Sequence, residues 1–395
     1  MAARTVVVLV ASSAIALTGC GALRSLAGRN TVSLEGAQVT SMSVDLRKGE
    51  KTICPRERVQ MAVFAEAQFP GEQRPQQLET WHGDAAANRN GKLEFDEFAF
   101  HSDMGSFDAE GWFLPNPDLQ VSAGREFALT TAYRRRPDQF TFHTSYKPDY
   151  HCITTGGGEG SMGNSGANGQ SGTAGTDGSS GFSDSAGGPG GDGRPGGNGG
   201  AGAPGGPGPH LVAYATYVST PFYPRLIAVR LEGSATDLIL AHADATLTLL
   251  ARGGDGGAGG NGANGGQGGR GGSGNPPGNG GNGAAGGSGA SGGNGGPGGN
   301  IELVVDQRFA DLAQRIVLDV SGGRGGAAGI AGTGGRPGSG GSGFSGAANG
   351  ADGSEGNAGQ VGTSGSDGPK GTSSVRSGDV ADKFSGLSAI TLLNP

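Results

Sequence analysis

Short runs in which apolar and polar side chains alternate fill the first third of the chain. Among them are TVSLEGAQVTSMSVDL (31–46), RVQMAVFAEAQF (58–69), KLEFDEFAF (92–100), EFALTTAY (126–133) and QFTFHTSY (139–146). A period of two is the signature of strands with one buried face. Phe127, Leu129, Thr131 and Tyr133 fall on one side of their run, and Phe140, Phe142, Thr144 and Tyr146 on one side of the next. Pro, Gly, Asn and Asp separate the runs, as expected of turns. The pattern predicts a mainly β protein with little α-helix, beginning with an antiparallel β-sandwich-like domain over 31–155. Further β segments are expected at 210–252 (RLIAVRLEG, ATLTLLAR) and 301–321 (IELVVD, RIVLDV), and 373–395 has enough apolar residues to return to the β-core.

Between these segments the alternation stops, at 156–209, 253–300 and 322–372, and glycine takes over every third position. The phase runs from Gly157 to Gly208 with one exception at Asp184. It runs from Gly253 to Gly298 with one at Pro277, and from Gly323 to Gly371 with two, Phe344 and Ala347. Three residues per turn is the repeat of the polyproline II helix, which rises about 3.1 Å per residue and makes no internal hydrogen bonds. Glycine along one edge lets another backbone approach and accept its free N–H groups. Each exception lies near the middle of its tract, where Pro276-Pro277-Gly278-Asn279 and the paired GFSDSAGG (181–188) and GFSGAANG (343–350) read as turns. Each tract is therefore expected to be a hairpin, and the three to supply about six antiparallel polyglycine II helices. Between 187 and 208 and throughout 253–300 a second glycine is common in the triplet, which predicts neighbours on several sides. The runs 157–183 and 350–372 carry side chains at both other positions and are expected on the outside.

These Gly-X-Y and Gly-Gly-X runs resemble the polyglycine II bundles of the snow-flea antifreeze protein and of certain phage tail adhesins. The resemblance lies in the repeat chemistry and implies a fold more than an activity. A collagen-like trimer is the competing arrangement; low proline content and the midpoint turns count against it.

The first 19 residues have a short n-region with Arg4 and an apolar stretch from Val6 to Leu17, the layout of an export signal. The ending Leu17-Thr18-Gly19-Cys20 resembles a bacterial lipoprotein lipobox, which implies acylation of Cys20, a lipid bilayer as partner, and residues 20–30 as the anchor linker. Gly21 in place of aspartate favours the outer membrane of a Gram-negative cell envelope. In that oxidising setting Cys54 and Cys152 are expected to form a disulfide. A net charge of −7 provides no concentrated basic face for nucleic acid, and Arg134–Arg136 reads as a hairpin turn.

Candidates for chemistry are few. AANRNGKLEFDE (86–97), followed by Phe98, resembles a calcium loop, with Asn88, Asn90 and Glu97 in ligand positions and Asp84 as a substitute for the missing first aspartate. Asn90-Gly91 is equally a hairpin turn. His82, His101, His143 and His151 share no metal-ligand spacing. Phe182 and Phe344, at the midpoint turns, are expected to pack. No cofactor and no catalytic constellation is indicated. The expectation is a membrane-anchored, non-catalytic surface lipoprotein with a structural or adhesive role, with a surface glycan or protein as possible ligand. Ice or carbohydrate binding on a flat bundle face is the alternative.

Overall fold

The computed structural model describes residues 31–80 and 92–394. Cys20 and the lipobox, and Asp84, Asn88 and Asn90 of the calcium-type loop, lie outside the described residues. The chain is mainly β, and the α-helices among the described residues are two short ones, α1 (Leu119–Ala123) and α2 (Leu312–Arg315). Asp118 caps α1 by accepting the Gln120 N–H at 3.0 Å.

Two compact units divide the chain, one of Met1–Pro117 with Arg125–Asp149, the other of Asp118–Gly124 with Tyr150–Pro395. The first holds β1 (Thr31–Val32), β2 (Gln38–Leu46), β3 (Thr52–Ile53), β4 (Val59–Gln68), β5 (Gln76–Glu79), β6 (Lys92–Leu93), β7 (Phe98–His101), β8 (Gly105–Phe107), β9 (Trp112–Pro115), β10 (Phe127–Tyr133) and β11 (Thr141–Pro148). They form a seven-stranded sheet in the order β1-β6-β5-β4-β9-β8, with β2 also on β4, and a four-stranded sheet, β3-β11-β10-β7. Alternation places Phe127, Leu129, Thr131 and Tyr133 inward, as expected, and Arg134–Arg136 lies in the turn to β11. Leu34, Val63, Leu78, Leu93, Phe98 and Tyr133 share this unit's core.

The second unit holds β12 (Thr155–Glu159), β13 (His210–Ser219), β14 (Leu226–Gly233), β15 (Asp237–His242), β16 (Leu247–Arg252), β17 (Asn300–Asp306), β18 (Ile316–Asp319), β19 (Thr372–Gly378) and β20 (Thr391–Leu392). Its sheets are β12-β16-β18 and β15-β14-β13-β17-β19, with β20 on β13. Leu211, Val229, Leu249, Leu303 and Ile316 are buried together, and Val380 and Phe384 of the C-terminal segment join them. The later β segments thus build a core of their own, and the boundary expected near residue 155 falls at Asp149/Tyr150. The sequence hides this because alternation reports a buried face and not the face it is buried against.

The glycine-rich tracts carry almost no regular helix or strand, yet their backbone groups are bonded at every third residue. Within each tract the two halves are antiparallel: Gly188 N–H donates to Ser179 O (2.7 Å) and Gly206 to Ser161 (2.7 Å), Gly281 to Gly269 (2.9 Å) and Gly296 to Gly254 (2.8 Å), Gly353 to Gly338 (2.9 Å) and Gly368 to Gly323 (2.8 Å). Corresponding halves of successive tracts are parallel. Gly163 donates to Asp255 O and Gly256 to Arg324 O, while Gly190 donates to Asn279 O and Gly280 to Ala351 O, all at 2.8 Å. Cross-bonds such as Gly260 to Gly200 (2.8 Å) and Gly329 to Ala290 (2.8 Å) tie the set together. The pairing is that of two rows of three extended runs. The halves of 253–300 sit in the middle of the rows and each bonds to four other runs; 160–181 and 350–371 sit at the margins and bond to two.

The sheets hold this array in register. Parallel β12, β16 and β18 lead into the three tracts, and parallel β13, β17 and β19 lead out. Thr155 faces Thr248 and Leu247 faces Ile316; in the tracts Asn168 meets Asn261 and Asp255 meets Arg324, at the same sequence offsets of 93 and 69. On the exit side His210 faces Asn300 and Asn300 faces Thr372, and the offsets 90 and 72 recur where Asp192 meets Asn282 and Asn282 meets Ser354. Ordering a glycine costs the upper end of about 1–2 kcal/mol. Strands already in register spare the array that alignment step.

Candidate functional site: two faces of the glycine-rich array

The glycine row of each run supplies the backbone bonds, so the exposed positions of each triplet are where side chains are displayed. Their own N–H groups have no backbone acceptor, and at several of them a side chain of the adjoining run supplies one. On the face carrying the rows of Met162, Asp255 and Arg324, Asn168 accepts from Asn261 N–H (2.9 Å), Asp177 from Arg270 (2.8 Å), Asp255 from Arg324 (2.7 Å) and Asn264 from Thr333 (3.0 Å). On the other face, with the rows of Pro189, Asn279 and Ala351, Asn198 accepts from Ser288 (2.8 Å), Asn282 from Ser354 (2.8 Å) and Asn294 from Ser366 (3.0 Å). At these exposed positions water competes for the amide, so each such bond contributes about 0.5–1.5 kcal/mol. The frequency of Asn and Asp in the tracts therefore has a backbone cause. A reading based on glycine alone misses it; the signal was Asn or Asp recurring in the three-residue phase.

The faces differ in charge. The first carries Asp177, Asp255, Arg270, Arg324 and Arg336, with exposed Met162 and Ile330. In the seven triplets of the second, from Pro189, Asn279 and Ala351 onward, Asp192 is the one charged residue. At the far end of the array the turns are joined by Asn275 N–H to Ser185 O (2.9 Å) and Phe344 N–H to Gly274 O (3.3 Å). Phe182 is 79% exposed there and Phe344 37%, which corrects the expectation that both pack. A two-row array has no interior at its end to receive a ring.

The other candidates lie elsewhere. Cys54 and Cys152 are joined by a disulfide. Glu97, the described member of the calcium-type set, is buried; its carboxylate accepts the Leu34 N–H (3.0 and 3.1 Å) and the Ser33 hydroxyl, which ties it to the turn between β1 and β2. His101 and His143 flank Thr130 across β7 and β11, with Thr130 Oγ1 3.1 Å from His143 Nδ1. His151 stacks on His242 with ring centroids 3.7 Å apart, and His82 lies outside the described residues. A cavity of about 580 Å³ over β2, β4 and β5 is lined in part by Ser41, Phe64, Glu66 and Glu79. Glu66 accepts the Ser41 hydroxyl there. Among the described residues no helix is long and apolar enough to cross a membrane. Comparison with protein-family models, with characterised proteins and with solved structures returns no match.

Proposed function

We propose that the chain is a lipid-anchored, non-catalytic protein of the bacterial envelope, in which the three tracts form a bundle of six antiparallel polyglycine II helices. The bundle serves as a stiff structural or adhesive module, tethered to the membrane through acylated Cys20. The observation that carries this reading is the shared register. The strand offsets continue through the tracts, and backbone bonds recur at every third residue, the repeat of a three-residue helix. Exposed Phe182 at the far end gives such a module a contact point, since aromatic residues are enriched where partners bind.

The test is expression of the full chain with its signal in a Gram-negative host fed labelled palmitate. Label should enter the protein and be lost from a Cys20→Ala variant. Cells displaying the protein should adhere to surfaces or to one another more than cells displaying Phe182→Ser. Equal labelling of the Cys20→Ala variant removes the anchor, and equal adhesion of cells lacking the protein removes the adhesive role.

A further inference from the structure

We infer that the face built on the rows of Pro189, Asn279 and Ala351 binds a neutral polysaccharide. The inference rests on the proposed function and names the ligand class of the adhesive module. Three properties of the face select that class.

The first is charge. Asp192 is the single charged residue in the three rows, whereas the opposite face mixes Asp177 and Asp255 with Arg270, Arg324 and Arg336. Polyanions and polycations need an array of opposite charge to replace their counterions, and this face offers a single carboxylate. The second is the lack of apolar anchors. Pro, Ala, Ser, Thr, Asn and Gln fill the other positions, with no aromatic, Leu, Ile, Val or Met. Protein interfaces draw most of their energy from such anchors, and lipid surfaces require apolar side chains, so neither partner fits.

The third property is directed donors. Asn198, Asn279, Asn282 and Asn294 each give the side-chain carbonyl oxygen to a backbone N–H of the adjoining run, at 2.8–3.0 Å. Each NH2 group is left as the free part of its amide, a pair of donors on an exposed side chain. The rows repeat once per triplet, about every 9 Å for an extended three-residue repeat. A polymer that matches such a surface is uncharged, rich in oxygen acceptors and itself periodic. Hydroxyls and acetal oxygens of a neutral polysaccharide meet all three conditions.

The experiment uses the full chain without its signal. Affinity electrophoresis is run in gels containing hydroxyethylcellulose, dextran or galactomannan, with alginate as the polyanion. Two triple variants carry the same added charge on opposite faces, Ala201→Lys/Ala285→Lys/Thr363→Lys and Ala174→Lys/Ala258→Lys/Ala327→Lys. Retardation is expected by at least one neutral polymer, unchanged in 0.5 M NaCl, absent with alginate, and weakened about tenfold or more by the first variant only. Hydrogen exchange on both variants verifies that the array is intact. Retardation by none of the neutral polymers, equal weakening by both variants, or salt-sensitive binding to alginate overturns the inference. Inhibition of ice recrystallisation without polysaccharide binding overturns it in favour of ice. If the palmitate and adhesion results hold while these fail, the ligand class is wrong and the surface role stands; if those fail too, the functional reading itself is wrong.

Discussion

Adjacent glycines of the run 187–208 should respond in opposite ways to one methyl group. Gly199 belongs to the row that is glycine without exception from Gly187 to Gly208. A Cβ there would stand 2.0 Å from Gly260 O and 2.4 Å from Gly260 C, where ordinary contact begins at 3.4 Å. Gly200 belongs to the row that already accommodates Arg194 and Ala203, and its nearest neighbour would be Ala167 N at 3.2 Å. Neither glycine has a left-handed φ, so alanine suits both backbones. Restricting the unfolded chain then favours folding by about 0.4–1 kcal/mol at either position. Relieving the clash at Gly199 requires the runs to part by roughly 1 Å, which breaks bonds such as Gly260 to Gly200, now 2.8 Å. Two amides orphaned at about 1–3 kcal/mol each give a net loss of roughly 2–5 kcal/mol for Gly199→Ala. Gly200→Ala should fall within about 0.5 kcal/mol of the parent. Guanidinium unfolding measures both, with hydrogen exchange over 187–208 to assign the transition. Equal effects of the two substitutions, or a larger loss at Gly200, would refute the reasoning.

Reducing the Cys54–Cys152 disulfide should lower stability by about 4–5 kcal/mol, because it closes a loop of about 100 residues in the unfolded chain; unfolding with and without reductant gives the difference. Burial opposes the charge of Asp306, but hydrogen bonds from Arg308 and Thr216 outweigh it and hold the carboxyl below the usual aspartate range. Its stabilisation is therefore present above the ordinary aspartate pKa and lost as pH falls through the lower folded value. An Asp306→Asn variant should be less stable at pH 7 and converge on the parent in strong acid, as read from unfolding midpoints across pH. The Asn-Gly pairs of the tracts, at 168, 198, 261, 264, 279, 282, 294 and 349, should resist deamidation in the folded chain, since the following glycine N–H that would attack the side chain is bonded to another run. Mass spectrometry after incubation at alkaline pH should find deamidation slow in the parent and faster in Gly199→Ala.

The strands and the hairpin plan of the tracts were legible because each rests on a local period, two for a half-buried strand and three for the glycine rows. Phe127, Leu129 and Tyr133 turned inward as their alternation implied. That the halves of 253–300 have most neighbours could also be read, because a second glycine per triplet marks a run approached from several sides; the three neighbours of 322–343 were not foreseen. The grading is visible in the hydrogen bonds: where alanine occupies such a row, at Ala263, Ala284 and Ala290, the bond lengthens to 3.0 Å, against 2.8 Å at Gly257, Gly260 and Gly266. What the sequence concealed depends on pairing across distance. Register between β12 and β16 or β13 and β17 is fixed by partners some 90 residues apart. The charge difference between the faces emerges only once Asp192, Asn282 and Ser354 are known to lie side by side.

Hydrogen exchange read by mass spectrometry across residues 253–300 tests the central claim most directly. Run by run, protection should follow the number of bonded neighbours: greatest in both halves of 253–300, on the order of 100-fold or more over an unfolded chain, and least in 160–181 and 350–371. Exchange at the unfolded rate throughout 253–300, with β13 and β14 still protected, would contradict it and leave the tracts as linkers.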